Sequence, residues 1–354
     1  MNKTIAIAGA GLMGRLLAWR LALLGHRVDL FDAGSIKQPK NAAHTAAAMI
    51  SPLSEVVVSE RLIYDMGMQS LAIWPQWIEQ LNLRQQPAIQ YSNQGSLVIA
   101  HPQDEAELQQ FYQDLIHHLG EEHGARWLNR AELKQLEPDL SSNFAHSLFL
   151  PFEAHLDNRQ LLDNLLAELI HLGVQLHEHN PINLDTAEHY GTFDLWLDCR
   201  GTGAKDGPAP QIVRGVRGEV LWVQTDEVHL SRPIRLMHPR YKLYIVPKPH
   251  GRFIIGATEL ESEDRSPMSL QSLLELGSAL YTLNPAFAEA RILELDANLR
   301  PSLMDNLPIV DSGNLANGCP FVRVNGLYRH GYLLAPCLVS QVIDVINSGS
   351  VGNS

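Results

Sequence analysis

The stretch Lys3–Gly14, "KTIAIAGAGLMG", decides the fold. A short apolar run meets three glycines, Gly9, Gly11 and Gly14, in G-x-G-x-x-G spacing. The order reads as strand, tight turn and helix. Gly9 permits the turn, Gly11 lets the backbone approach a pyrophosphate, and Gly14 lets the helix pack close to the strand. The helix start, with Leu12 and Met13, offers free N–H groups and partial positive charge to phosphates. "RLLAWRLALLG" continues the helix to Gly25, a natural stop. "RVDLFDA" is the second strand, and Asp32 ends it where an acid meets a ribose hydroxyl. The whole is a βαβ start with a parallel sheet implied. It predicts dinucleotide binding and leaves FAD and NAD both open.

The chain has 354 residues, enough for two domains. Hydrophobic residues make up 45% and charged residues 19%, a folded rather than disordered composition. The net charge of -12 argues against a dominant nucleic-acid role and against binding to anionic membranes. Three dispersed cysteines, Cys199, Cys319 and Cys337, form no C-x-x-C and suit a reducing compartment. "HEH" would put His177 and His179 on one strand face, and "HH" places His117 beside His118 in a helical segment. Neither has a third ligand at usable spacing, so no metal site is expected. Arg15 and Arg20 interrupt the N-terminal apolar run, which removes a signal-peptide reading. With no uninterrupted apolar stretch of about 20 residues, the expected location is the cytoplasm, without integral membrane association.

The rest of the chain alternates α/β, mostly β, then α/β. Helices are predicted near Ser59–Leu83, in "DEAELQQFYQDLIHHLGEEHG", "NRAELKQLEPDL", "NRQLLDNLLAELIHLG" and "SLQSLLELGSALYTL". Strands are predicted in "GSLVIA", "VQLHEH", "FDLWLDCRGTGA", "GEVLWV", "KLYIVP" and "RFIIGAT". The last unit, "RVNGLYRHGYLLAPCLVSQVIDVI", reads as strand, turn and helix. The stretch "DGPAPQ" is the most linker-like. This order implies a Rossmann-like α/β nucleotide-binding domain built from separated segments, with an inserted α+β domain containing a largely antiparallel sheet. The expected division is 1–85, 145–210 and 300–354 for the first, and 86–144 and 211–299 for the second.

Four further stretches carry chemistry. "HTAAAMISP" (His44–Pro52) is rich in small residues, as close approach to a flat ligand requires; it also fits a tightly packed helix start. "DLWLDCRGTGA" runs a buried strand into Gly201 and Gly203, a return toward an adenosine or an ordinary turn. "GLYRHGYLLAP" (Gly326–Pro336) leads from Arg329 through Gly331 into the last helix, whose N–H groups suit a ring carbonyl. "LDANLRPSLMDNLPIVD" sets one guanidinium, Arg300, against Pro301. That is a surface Arg or an anion clamp.

In this order, the motifs resemble the FAD-dependent D-amino acid oxidase superfamily, and most of all the glycine oxidases of thiamine biosynthesis. The resemblance covers nearly the whole chain. It rests on "GAGLMG…LFD", "HTAAAMISP", "VRGVRGEVLWV", "YIVPKPHGRFIIGATELES", "NLRPSLMDNLPIV" and "GLYRHGYLLAP". It implies non-covalent FAD. It also implies hydride transfer from the α-carbon of a small amino acid to flavin N5, with O2 reoxidising the flavin to give H2O2. Arg300 is then the carboxylate clamp, Tyr244 its hydroxyl partner, and Arg329 a group near substrate and flavin. Thr45, Ala46, Ala47, Ala48 and Met49 lie against the pyrophosphate and isoalloxazine. His330, Gly331, Tyr332, Leu333 and Leu334 surround the pyrimidine ring, and Gly201 serves the adenosine end.

The chain departs from the family pattern at several points. Ala48-Met49 replaces the usual Gly-Gly, Asn298 the Gly before "LRP", His330 the usual Asn and Leu327 the usual His. Glu259, after "GAT", stands where close relatives carry an apolar residue lining the substrate; pointing inward, it suits a cationic group or a substrate amine. Four other readings compete: a flavin oxidase of tRNA wobble uridine, a D-amino acid dehydrogenase, a non-catalytic flavin scaffold and a nicotinamide dehydrogenase. Oligomeric state is left open, with a homo-oligomer compatible.

Overall fold

The computed structural model describes residues 2–140, 143–206, 213–237 and 242–348. The linker-like stretch falls outside them from Gly207 onward. Three sheets organise the described residues. The first has six strands, ordered Ile309–Asn314, Pro320–Asn325, Leu195–Asp198, Thr4–Ala8, Arg27–Phe31 and Gln175–His177. Its pairings are parallel except at the edge, where Ile309–Asn314 runs antiparallel to Pro320–Asn325. Parallel strands are covered on both faces and read as unbroken apolar runs. Ile5, Ala6, Ile7 and Ala8 accordingly have no exposed surface.

Helix Leu12–Leu23 follows the glycine turn, with Gly11 as its N-cap and no side chain capping it. Its first N–H groups therefore stay available. A Cβ on Gly14 would collide with the Gly9 carbonyl oxygen, so the packing admits only glycine there. Arg15, buried in the same helix, donates from Nε to the Ala10 carbonyl (2.9 Å) and from Nη1 to the Leu162 carbonyl (2.8 Å), and also reaches the Ile36 carbonyl. A residue that looked like a break in an apolar run is the peg that fixes the turn.

The second sheet has eight strands: Arg291–Ser302, Arg214–Gln224, Arg252–Gly256, Lys242–Lys248, Ile234–Met237, Ser96–Ala100, His146–Leu150 and Arg126–Asn129. All neighbours are antiparallel but one, Ile234–Met237 with Ser96–Ala100. Helix Leu270–Leu283, capped by the Ser269 side chain, packs Leu276, Leu280 and Leu283 under this sheet. A small third sheet joins Met49–Ile50, Ala154–Leu156 and Tyr91–Ser92 at the junction.

Arg291–Ser302 is a twelve-residue edge strand in a stretch to which the sequence pattern assigned no element. Pro301 is tolerated because the strand is at the edge, where one side of the ladder has no partner. "VQLHEH" forms a strand only to His177; His179 has φ of 54° and leaves the face. His177 instead stacks on Phe31 (4.2 Å between ring centroids) and bonds Asp29 at 2.8 Å.

The last helix, Gly331–Ser348, has the length and hydropathy of a membrane span, but 56% of that window is buried inside the protein, as in a core helix. Trp74 Nε1 donates to the Tyr332 carbonyl (2.8 Å) and ties its first turn to helix Arg61–Asn82.

Candidate active site

A cleft of about 1100 Å³ runs from the glycine turn to the junction of the two large sheets. At one end it is lined by Gly9, Gly11, Leu12, Met13, Asp32 and Gly201. A Cβ on Gly11 would meet nothing within 4 Å, so the helix start faces open space. Asp32 accepts from Ala10 N (2.7 Å) and Gly34 N (2.8 Å), which holds the carboxylate at the mouth of the turn. The Gly201 turn is fixed from behind by fully buried Asp198. Its carboxylate accepts from Arg200 Nε (2.8 Å) and Arg323 Nε (2.9 Å).

In the middle lie Thr45, Ala46, Ala47, Ala48 and Met49. Ala48 has φ of 55°, in the left-handed region that favours glycine. The departure from Gly-Gly therefore falls on a position with real backbone demand. The surroundings over-determine it. Leu156 N donates to the Ala48 carbonyl (3.2 Å), and Thr45 Oγ1 donates to Asp296 (2.6 Å). Lys248, buried beneath, donates from Nζ to the carbonyls of Ala47 (2.8 Å) and Leu156 (2.6 Å).

Burial lowers the Lys248 pKa to about 7. Lysine in an unfolded chain titrates near 10.4, so between about pH 7 and 10.4 the unfolded state binds the extra proton and stability rises with pH. We expect the stability difference between wild type and Lys248→Met to grow by about 1 kcal/mol from pH 7.5 to 8.5. Urea unfolding at both pH values checks this; a difference that does not move would show Lys248 charged throughout.

At the far end the cleft is lined by Tyr244, Glu259, Arg300, Arg329, His330, Gly331, Tyr332 and Leu333. Arg300 donates to the carbonyls of Arg217 (3.3 Å) and Thr258 (3.1 Å). Its guanidinium lies over Gly218, where any Cβ would collide with it. Among the described residues no carboxylate comes within ion-pair distance of it. Burial raises the pKa of Tyr244, against the pull of Arg300 and Arg235. Its hydroxyl thus stays protonated and able to donate.

Arg329 is not free in the same sense. It donates to Glu55 (2.8 Å) and to Glu259 (3.1 Å). Glu55 also meets His330 Nε2 at 2.8 Å and Arg235 at 3.2 Å. Burial alone would raise the Glu55 pKa, but Arg329, His330 and Arg235 hold it well below the carboxylate range. Glu259 points into the cleft. Its carboxylate accepts from the Tyr328 hydroxyl at 2.6 Å as well as from Arg329. Burial opposes its ionisation, but Tyr328, Arg329 and Arg300 outweigh it, so the Glu259 pKa is lowered.

Of the residues expected at the site, Gly14 and Leu334 do not line the cleft. Gly14 packs on the Gly9 carbonyl and Leu334 is buried in the core. Glu55, Arg235, Tyr328 and Lys248 belong to the site and its support but were missed by the sequence reading. The first three carry no local signal. Lys248 does: a lysine between two prolines in a β-rich run is out of place unless its ammonium is used.

The architecture and the glycine-lined cleft fit a flavin dinucleotide. Residues 4–339 match the family described as FAD dependent oxidoreductase, DAO. The chain belongs to this family. It is 38% identical to a Rhizobium etli protein that carries the name thiamine biosynthesis oxidoreductase ThiO, over 96% of this chain and 94% of that one. It is 26% identical to the glycine oxidase of Geobacillus kaustophilus, over 97% and 92%. The crystal structure of a glycine oxidase from that organism superposes with a TM-score of 0.83 at 25% identity, covering 98% and 95%. Iminodiacetate oxidase from Chelativorans shares the fold, with a TM-score of 0.78 at 21% identity over 98% and 95%. The protein is therefore an FAD-dependent oxidoreductase of the DAO family, similar to glycine oxidases and to ThiO proteins.

Proposed function

We propose that the protein oxidises a small amino acid, either glycine, sarcosine or a small D-amino acid, to the imino acid, which water hydrolyses to the keto acid and the amine or ammonia. One observation carries this reading: among the described residues, a guanidinium in the cleft, Arg300, is held only by carbonyls. A planar guanidinium takes a carboxylate through two parallel hydrogen bonds, which fixes orientation as well as charge. Tyr244 adds a neutral hydroxyl beside it. Gly9, Gly11 and the helix start would hold the pyrophosphate, Asp32 a ribose, and Gly331–Leu333 the ring. Bound FAD supplies the two-electron acceptor. O2 then takes the electrons to give H2O2. No side-chain base is required if the amine binds neutral, so the protein contributes position and exclusion of water. The R. etli relative's name supports a place in thiamine biosynthesis.

The proposed division into flavin and substrate parts is the one drawn from the sequence, moved at two points. Arg291–Ser302 pairs with Arg214–Gln224 in the eight-stranded sheet, which supports a boundary after Ser302 rather than before Arg300. His146–Leu150 pairs in the eight-stranded sheet, which puts the return to the flavin part near Pro151.

Anaerobic mixing of the yellow protein with amino acids of both hands tests the reading through flavin bleaching. Colourless protein that takes up no FAD and reduces NAD would end it. Bleaching without reoxidation by O2 would favour a dehydrogenase. Salt-sensitive binding of tRNA would favour the wobble-uridine reading, against which the net charge of -12 stands.

A further inference from the structure

This inference rests on the amine-oxidising reading and concerns the charge of the substrate. The strongest fields at Tyr244, Tyr328 and Glu259 come from three guanidiniums, Arg235, Arg300 and Arg329, and two carboxylates, Glu55 and Glu259. All five groups line the same end of the cleft. Arg235 and Arg329 share Glu55, and Arg329 also holds Glu259. Three guanidiniums against two carboxylates leave one positive charge unanswered. It belongs to Arg300, whose partners are carbonyls. One unanswered cation matches one substrate carboxylate.

Glu259 closes this balance and is built to do so. Arg217 and Leu260 exchange backbone hydrogen bonds at 2.9 and 3.0 Å, and Thr258 N donates to the Glu219 carbonyl at 3.3 Å. The residue between them cannot swing away with its backbone. Its side chain, 49% exposed, keeps an open edge on the cleft while Tyr328 and Arg329 hold the two oxygens. Without it, Arg329 would lose one of its two carboxylates and could accept another from a ligand.

We propose that Glu259 is a specificity determinant that admits amines with one carboxylate and rejects those with a second carboxylate on the amine substituent or side arm. The rejection is electrostatic, a repulsive element built against the wrong ligand.

The test uses FAD-loaded protein and two non-oxidisable probes. Methoxyacetate stands in for sarcosine and diglycolate for iminodiacetate, with binding read from the flavin visible band. Anaerobic bleaching by sarcosine and iminodiacetate runs in parallel. Wild type is expected to prefer the monocarboxylate by roughly tenfold or more, and Glu259→Gln, which keeps an acceptor for Tyr328, to shrink that preference about tenfold or reverse it. Equal loss for both probes in the variant, or an unchanged ratio, overturns the proposal while leaving the oxidase reading intact. Failure of every amine to bleach the flavin, with neither probe bound, overturns the oxidase reading and this inference together.

Discussion

Replacing Arg300 by alanine should leave a yellow protein that no longer holds its substrate. Arg300 sits near the end of the edge strand Arg291–Ser302, away from the Gly9–Gly14 turn proposed to hold the dinucleotide. Its loss removes hydrogen bonds to the Arg217 and Thr258 carbonyls and opens space above Gly218, so the fold should survive. What goes is a cleft-lining guanidinium whose partners, among the described residues, are carbonyls alone. Removing one side of a buried, hydrogen-bonded charge pair costs about 2–5 kcal/mol, roughly 30-fold or more in affinity. Titration of the flavin band with methoxyacetate measures this directly. Arg300→Lys should recover the charge but not the two-point grip, and regain only part of the loss. Unaltered affinity in Arg300→Ala would remove the clamp from the mechanism.

Much of the frame was legible because it is written in local pattern. "KTIAIAGAGLMG" carries strand, turn and helix within twelve residues, and the apolar strands of both large sheets announce themselves by run length. The edge strand Arg291–Ser302 did not. Asp296, Asn298 and Pro301 are poor strand formers, and only pairing along the full length of Arg214–Gln224 makes a strand of them. Ala48 was visible as a departure from glycine, but the positive φ behind that glycine required the backbone.

The charge cluster was the least legible part. Glu55 meets Arg235 across 180 residues and His330 across 275, and nothing in "SPLSEV" marks it. The family resemblance placed Arg329 near substrate and flavin. The fold gives it two carboxylates of its own. Such groups are found through tertiary partners, since a charged residue in a short helix is ordinary until its burial is known.

Glu55 is also where the largest loss of stability is expected. Glu55→Ala would strand Arg235, take the carboxylate partner from His330 and leave Arg329 with Glu259 alone. Breaking a buried ion pair by removing one partner typically costs about 3–5 kcal/mol, because the surviving charge stays desolvated. The turn Arg329–Gly331 would loosen with it, so FAD should dissociate more readily. Glu55→Gln keeps the shape and separates charge from packing. The Glu55 pKa in the fold lies below its unfolded value, so its contribution is present above about pH 4.3 and fades as pH falls through the folded value. The gap between wild type and Glu55→Gln should therefore be widest near neutral pH and close toward strong acid. Adding Arg235→Ala to Glu55→Ala removes one stranded cation and should return part of the stability, a coupling that a double-mutant cycle in urea measures. Strict additivity in that cycle would show that the cluster's members do not support one another, and that the turn before the last helix is held by packing alone.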